Sequence, residues 1–240
     1  MSFEYDAITA GHYAAYRPEL HNEILKKCIT NIDDFSLGID IGCGTGHSSI
    51  ALSKFCKKVI GIDPSENMIE NAIVYPNVKY QKFTGQILAF EPNIAEIVTF
   101  AGSLHYAKSQ QLLNEVVRVT KNKGLVIVYD FEMLLDDILR KLGLDSSEVN
   151  SYDHEADFSG LSCNAISLIK VAREKTCLDI IASNLAHLLL SVKEHYQSFE
   201  KKLEKHNLRT KLSEILSNMN DSETFAIVAN LYYKVYSVSK

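Results

Sequence analysis

Short apolar runs alternate with amphipathic stretches through the first half of the chain. The apolar runs predict five strands, at residues 37–41, 58–62, 78–83, 95–100 and 125–129. Apolar positions three and four residues apart predict helices between them, at residues 20–31, 47–55, 64–72 and 110–120. Because strands and helices alternate, the pattern indicates an α/β fold with a mostly parallel sheet and helices on both faces.

The second half of the chain is patterned differently. No glycine occurs after Gly160 and no proline after Pro92, so long elements are expected there. Residues 131–142 and 179–217 have helical periodicity, residues 145–163 form a polar, acidic stretch, and residues 166–171 and 224–238 suit two further strands. We therefore predict one domain of seven strands over residues 1–240. Residues 1–130 would form the core, residues 131–220 a helical cover over the carboxyl edge that selects the substrate, and residues 221–240 a last strand returning to the sheet.

Composition narrows the class of protein. The 240 residues are 46% hydrophobic and 23% charged, which is typical of a soluble globular protein. The net charge of -5 argues against a nucleic-acid partner. The five cysteines are odd in number and include no C-x-x-C pair, so neither a disulfide framework nor a metal site is indicated. No stretch has the length of a membrane span. We expect a cytoplasmic protein, either a monomer or a homodimer, that does not bind membranes.

The turn after the first strand carries the most specific signal, Asp40-Ile41-Gly42-Cys43-Gly44-Thr45-Gly46. Alternate glycines after a strand indicate a sharp turn whose backbone comes close to a ligand. Asp40 would either hold this turn or accept a hydrogen bond from an ammonium group. Asp63, at the end of the second strand, suits the hydroxyls of a ribose, and it also suits capping of the helix that begins at Pro64. Both roles are compatible.

These segments resemble the class I S-adenosylmethionine-dependent methyltransferases, which have a Rossmann-like fold. Residues 40–46 are similar to motif I of that family, and Asp63 to its second acidic motif. Residues 83–90 resemble the motif that reads adenine, residues 101–106 the segment beside methionine and the acceptor, and residues 118–124 a later conserved turn. The sequence departs from the family at Gln86, where an acid is usual, at Tyr106, where tryptophan is common, and at Asn122-Lys123.

The resemblance implies S-adenosyl-L-methionine as cofactor and a set of residues that bind it. Those in the core are Asp40, Gly42, Cys43, Gly44, Gly46, Asp63, Pro64, Met68, Gly85, Gln86, Ile87, Ala101 and Gly102. The amino-terminal segment is similar to small-molecule methyltransferases of the trans-aconitate and malonyl-carrier-protein type, which adds Tyr13 and Arg17. In those enzymes aromatic residues close over the cofactor and the arginine approaches its carboxylate. The implied acceptor is a small molecule, with a carboxylate as the leading candidate.

The candidates for catalysis are histidines. A carboxylate acceptor needs no base, whereas a phenol or a carbon acid does. His105 follows the fourth strand and is our candidate catalytic residue, with His12 second. Residues 153–157, which read Asp-His-Glu-Ala-Asp, fit no metal spacing and favour a solvated acidic loop. Cys43 has no neighbour in the sequence that predicts a lowered thiol pKa.

Two alternatives stay open. A nicotinamide-dependent oxidoreductase also uses a glycine turn and a following acid, but its fingerprint G-x-G-x-x-G would place glycine where His47 stands. The second alternative is a catalytically silent protein that keeps the cofactor fold as a scaffold. The order of motifs favours the methyltransferase over both.

Overall fold

A computed structural model describes residues 7–29, 35–85, 87–144, 152–203, 206–220 and 222–240. The strands are β1 (Gly38–Ile41), β2 (Val59–Asp63), β3 (Val78–Lys82), β4 (Ala95–Ala101), β5 (Thr120–Met133), β6 (Ile166–Ile181) and β7 (Thr224–Val238). The helices are α1 (Ala7–Ala15), α2 (Leu20–Cys28), α3 (His47–Leu52), α4 (Glu66–Glu70), α5 (Leu104–Ala107), α6 (Gln110–Val119), α7 (Asp136–Lys141), α8 (Ala182–Leu190), α9 (Lys193–Leu203) and α10 (Leu208–Met219).

The seven strands form one sheet in the order β3-β2-β1-β4-β5-β7-β6. Strands β1 to β5 pair in parallel, and Asp40 stands beside Gly61 on one side and Thr99 on the other. Strand β7 runs antiparallel to β5, since Leu134 N–H donates to Val228 O and Asn230 contacts Glu132. The predicted seven-stranded, mostly parallel sheet with flanking helices is confirmed, with β7 as its one antiparallel strand.

The chain divides into two compact units, each described here by itself. The sheet unit comprises residues 18–131, 152–174 and 231–240, and the helical unit comprises residues 1–17, 132–151 and 175–230. The core of the sheet unit is built on β1 and β4, whose apolar side chains are almost wholly buried, including Ile39, Ile97 and Phe100. Continuous apolar runs of this kind are typical of parallel strands covered on both faces.

The helical unit has its own apolar core. Leu185, Leu189, Leu212 and Phe199 are almost completely buried among α8, α9 and α10, and α7 contributes Leu139. The predicted helical periodicity over residues 179–217 corresponds to these three helices. That they cover the carboxyl edge of the sheet stays a prediction. None of the described helices is long and apolar enough to cross a membrane.

Residues 131–142 differ from the prediction of a continuous helix. Strand β5 continues to Met133, and only Asp136–Lys141 is helical. The cause is pairing with β7, about a hundred residues later in the chain, which a local pattern does not contain. Strand β6 is likewise longer than predicted: it runs from Ile166 to Ile181 rather than ending at residue 171.

Candidate functional site

The glycine turn joins β1 to α3 in a left-handed conformation. The φ angles of Gly42, Gly44 and Gly46 are 76°, 53° and 95°, a region that side chains strongly disfavour. A Cβ at Gly42 would overlap the side chain of Ser103, and one at Gly46 would overlap the hydroxyl of Tyr80. The turn therefore requires glycine both for its backbone angles and for the space around it.

Two buried hydroxyls lie at this turn. Among the described residues, the Oγ1 of Thr45 and the hydroxyl of Tyr80 have no hydrogen-bond partner. Buried polar atoms are rarely left in this state unless a ligand, water or a small shift satisfies them. The sequence did not single out Tyr80, because it lies on β3, far from the glycines along the chain.

Asp40 connects the helix after the turn to the neighbouring strand β4. Its side chain is fully buried and accepts hydrogen bonds from Ser48 (2.6 Å) and Ser49 (2.7 Å) on α3 and from Thr99 (2.8 Å) on β4. Burial raises the pKa of Asp40, while the three hydroxyls favour its charged form and oppose that shift. Of the two roles predicted for Asp40, these contacts describe the structural one.

Asp63 contacts both the glycine turn after β1 and the segment that leads from β2 into α4. Its Oδ2 accepts the N–H of Gly44 at 2.9 Å, and its Oδ1 accepts the N–H of Ser65 at 2.8 Å. Ser65 in turn is the N-cap of α4, where its side chain accepts from Met68 N–H. Burial raises the pKa of Asp63, against the effect of the two backbone donors. The predicted capping position thus belongs to Ser65, and Asp63 supports it.

The other predicted residues of this edge differ in exposure. Cys43 is buried within the turn, and burial raises the pKa of its thiol. Met68 is buried on α4, whereas Pro64 is exposed. Gly85 is exposed as well, and Ile87 exposes 66% of its surface, which is unusual for isoleucine.

The segment predicted to read adenine is anchored from α6. Gln86 itself lies outside the described residues. Just beyond it, Arg118 donates to Leu88 O and Phe90 O at 2.8 Å each, and Glu115 accepts the N–H of Leu88 at 2.8 Å. Arg118 and Glu115 also form an ion pair at 2.7 Å. This clamp fixes the backbone that follows Ile87.

The end of β4 brings Ala101 and Gly102 beside the glycine turn. Gly102 has a φ of 69°, and its N–H donates to Tyr129 O on β5 at 2.8 Å. The next residue, Ser103, donates to Ile41 O and lies against Gly42. The sheet unit therefore brings together the predicted residues of β1, β2 and β4 at one carboxyl edge.

Tyr13 and Arg17 belong to the helical unit. Tyr13 lies on α1, and the guanidinium of Arg17, which follows this helix, stacks over its ring at 4.2 Å. His12, on the same helix, lies 3.0 Å from His187 between their Nδ1 atoms. An approach of Tyr13 and Arg17 to a cofactor stays a prediction.

His105 follows β4 on the short helix α5. Its Nδ1 accepts the N–H of Asp153 at 3.2 Å, so Nε2 carries the proton of the neutral ring. The ring also contacts Tyr106 and Tyr152, with centroids 5.0 and 4.7 Å away. In this arrangement His105 presents a hydrogen-bond donor rather than a base. A catalytic role for it stays a prediction.

A polar cluster beside Gly102 was missed by the sequence argument. Oδ2 of Asp130 lies 2.8 Å from Nδ1 of His154 and 2.8 Å from the hydroxyl of Tyr152, and that hydroxyl also lies 2.5 Å from Gly102 O. Asp130 lies on β5, but His154 is 24 positions later in a stretch without periodicity. No local signal connects the two.

The acidic segment 153–157 is attached to the sheet rather than simply solvated. Glu155 pairs with Arg173, and Asp157 pairs with Lys234 at 2.6 Å. Burial would raise the pKa of Asp157, but the bonds from Lys234 and Ser159 outweigh it and lower that pKa to about 2. Among the described residues, no group of three side chains is arranged to hold a metal ion.

Comparisons with known proteins show what the region around the carboxyl edge of the sheet is similar to. Residues 39–128 match the family model described as a methyltransferase domain. The chain is 30% identical over 108 residues to an uncharacterized methyltransferase of Bacillus subtilis, YcgJ, covering 42% of this chain and 43% of YcgJ. It is 29% identical over 132 residues to a probable S-adenosylmethionine-dependent methyltransferase of Saccharomyces cerevisiae, covering 48% of this chain and 43% of that protein. Each match thus spans less than half of the relative.

Solved structures show the same fold. YcgJ has a TM-score of 0.51 at 18% identity, covering 92% of this chain and 99% of that chain. A phosphoethanolamine N-methyltransferase 2 of Haemonchus contortus, in complex with S-adenosyl-L-methionine, has a TM-score of 0.51 at 17% identity, covering 97% of this chain and 56% of that chain. Residues 39–128 are therefore similar to a methyltransferase domain, and the chain shares the fold of these solved methyltransferase structures. The resemblance to the trans-aconitate and malonyl-carrier-protein type stays a prediction.

Proposed function

We propose that this chain is an enzyme that transfers a methyl group from S-adenosylmethionine to a small-molecule acceptor. One observation carries the proposal: three left-handed glycines form a turn that lies between the buried Asp40 and Asp63, within the region that matches a methyltransferase domain. A turn of this kind brings bare backbone close to a nucleotide-like ligand at the carboxyl edge of a parallel sheet.

The residues at this edge fit such a cofactor. Each carboxylate oxygen of Asp63 accepts one backbone N–H, and a carboxylate has about four acceptor positions, so capacity remains for two ribose hydroxyls. The exposed Ile87, with Gly85 and Gln86, suits the adenine. Ala101 and Gly102 would lie along the methionine portion. Asp40 has no exposed surface, and we propose that it acts through the turn rather than by contact.

Two further groups would complete the site. Tyr13 and Arg17 would close over the cofactor, the arginine toward its carboxylate, as the resemblance of their segment implies. His105 would orient the acceptor through the proton on its Nε2. The cofactor supplies an electrophilic methyl group, and the chain contributes alignment and exclusion of water. A carboxylate is the acceptor class that the resemblance implies.

Titration calorimetry with S-adenosylhomocysteine and with NAD tests the proposal. We expect S-adenosylhomocysteine to bind and NAD not to bind, because the fingerprint of a nicotinamide site is incomplete at His47. Binding of NAD alone would contradict the proposal in favour of an oxidoreductase. Tight binding of S-adenosylhomocysteine without methyl release over a panel of metabolites would favour a silent scaffold.

A further inference from the structure

We propose that the helical unit binds a small hydroxylated amine in a recess lined by the first turn of α8, the last turns of α10 and the beginning of β7. The recess has a volume of about 440 Å³, within the range of about 300–1,000 Å³ that is usual for small-molecule sites. All of its lining residues fall between residues 181 and 225, inside the helical unit. None of them belongs to the glycine turn, so the proposal goes beyond the proposed methyltransferase function and does not depend on it.

Part of the lining is apolar. Ala182 is buried, and Phe225 packs against the core of the helical unit. Ile181 also lines the recess and exposes 46% of its surface, although isoleucine is usually buried. Apolar side chains at an open recess provide contact for the carbon skeleton of a ligand.

Three polar side chains of the recess have no partner within the protein. Among the described residues, the hydroxyls of Ser183 on α8 and Ser213 on α10 form no hydrogen bond, and the carboxylate of Glu223 forms neither a hydrogen bond nor an ion pair. The three groups come from separate segments of the chain. Polar groups that different elements bring to one partly apolar recess are typical of a small-molecule site.

The residues on either side of Glu223 are hydrogen-bonded to one another. Nδ2 of Asn220 donates to Thr224 O at 2.8 Å, and Oδ1 of Asn220 accepts the N–H of Ser222 at 3.3 Å. The hydroxyl of Ser222 accepts the N–H of Thr224 at 3.4 Å. These side chains are occupied with the backbone around Glu223, whereas the carboxylate itself is left for a ligand.

The charge of the recess favours a cation. Among its described lining residues, Glu223 is the one charged side chain. The end of α10 lines the recess as well, through Ser217 and Asn220, and the last carbonyl groups of a helix carry partial negative charge. An ammonium group donates hydrogen bonds to carboxylates and to carbonyls alike.

The first turn of α8 favours hydroxyl groups on the same ligand. Ile181 is the N-cap of α8 and provides no side-chain capping bond, so the first N–H groups of the helix are donors without helical partners. The hydroxyl of Ser183, in this turn, both donates and accepts. A compound with an ammonium group and several hydroxyls therefore matches the recess better than a simple amine or a neutral sugar does.

Four probes of similar size separate these contributions. Glucosamine has an ammonium group and hydroxyls, glucose has hydroxyls alone, cyclohexylamine has an ammonium group alone, and gluconate has hydroxyls with a negative charge. Each is titrated into the full chain at about pH 6.5, where an amine of the α-amino type is protonated. The ¹H–¹⁵N amide resonances of Ser183, Ser213 and Glu223 are followed, assigned by their loss or shift in variants at these positions.

We expect glucosamine to shift these three resonances with a Kd of about 1–10 mM, as is usual for a ligand of its size. Glucose and cyclohexylamine should each bind about two- to fivefold more weakly, because each lacks one set of contacts. Gluconate should bind most weakly of the four, since its charge has the sign of Glu223.

A charge-removing variant tests the role of Glu223. Glu223→Gln should bind glucosamine about two- to fivefold more weakly, the range for an ion pair at an exposed carboxylate, with its affinity for glucose unchanged. Glu214→Gln is the matched control, because Glu214 is an exposed acid on α10 that does not line the recess, and it should bind as the wild type does.

Three results would each overturn the proposal: no shift of these resonances with glucosamine, tighter binding of gluconate than of glucosamine, or equal affinity of the wild type and Glu223→Gln for glucosamine. Binding of S-adenosylhomocysteine is measured separately. Its absence would contradict the proposed function and leave the result for this recess unchanged.

Discussion

At the scale of single residues, the glycine turn makes the sharpest prediction. Gly44 has a φ of 53°, and its N–H donates to Asp63, so Gly44→Val combines backbone strain with a branched side chain facing the proposed cofactor. We expect calorimetry to detect no binding of S-adenosylhomocysteine, with an unchanged far-ultraviolet circular dichroism spectrum. Gly160→Val is the control: Gly160 also has a positive φ, of 78°, with open space around it, so this variant should bind normally.

The charge of Asp63 gives a second prediction at this scale. Asp63→Ala should weaken binding of S-adenosylhomocysteine by about 1.5–3 kcal/mol, the value of hydrogen bonds to a charged group. Asp63→Asn retains an acceptor for the N–H of Gly44 and should lose less. If calorimetry gives the same affinity for Asp63→Ala as for the wild type, Asp63 serves only the turn and the cap of α4.

The contrast between these residues and His154 shows what the sequence could predict of the site. Asp40 and the glycines lie within seven consecutive positions, and Asp63 ends the next strand, so their pattern is local and visible. The contact between Asp130 and His154 depends on how the segment after residue 151 returns to Asp130 on β5. Nothing in its composition encodes that return, and the acidic residues around His154 suggested a solvated loop instead.

At the scale of elements, the clamp from α6 to the segment after Ile87 is testable. Arg118→Lys keeps the positive charge but loses the planar fork that reaches Leu88 O and Phe90 O together. We expect the free energy of unfolding in urea to fall by about 1.5–3 kcal/mol, the usual effect of lost hydrogen bonds to a charged group. The affinity for S-adenosylhomocysteine should fall too, because the predicted adenine segment loses its anchor. Unchanged affinity would separate the clamp from the cofactor site.

Strand β5 shows where a local sequence pattern does not predict the bounds of an element. Asn122-Lys123-Gly124 predicted a turn before the strand, and Lys123 does have a positive φ of 64°. The chain nonetheless stays paired with β4 on both sides of these residues, through Thr120 opposite Ala95 and Leu125 opposite Ile97, with an irregular register between the two. The sheet absorbs the extra residues as a bulge. Long-range pairing therefore overrides the local preference at both ends of β5.

At the scale of the whole molecule, buried groups in the two units respond to acid in opposite directions. In the sheet unit, burial raises the pKa values of Asp40 and Asp63, so their burial is less costly at low pH. In the helical unit, burial, together with the charges of His187 and Arg209, lowers the pKa of His12 from 6.5 to about 4. The pKa of His187 is lowered as well, by burial and then by Arg209. The free energy of unfolding of the wild type, measured against pH, therefore contains both effects.

Comparing the wild type with His12→Gln isolates the contribution of His12 to the pH dependence of stability. The pKa of His12 is lower in the folded state, so between pH 6.5 and about 4 the unfolded chain binds more protons, and acid removes stability. This contribution is complete above the unfolded pKa and is lost as the pH falls through that window. We expect urea unfolding to show the wild type losing free energy of unfolding relative to His12→Gln over this range, while the exposed His206→Gln follows the wild type. Parallel curves for the wild type and His12→Gln would mean that His12 titrates normally in the folded protein.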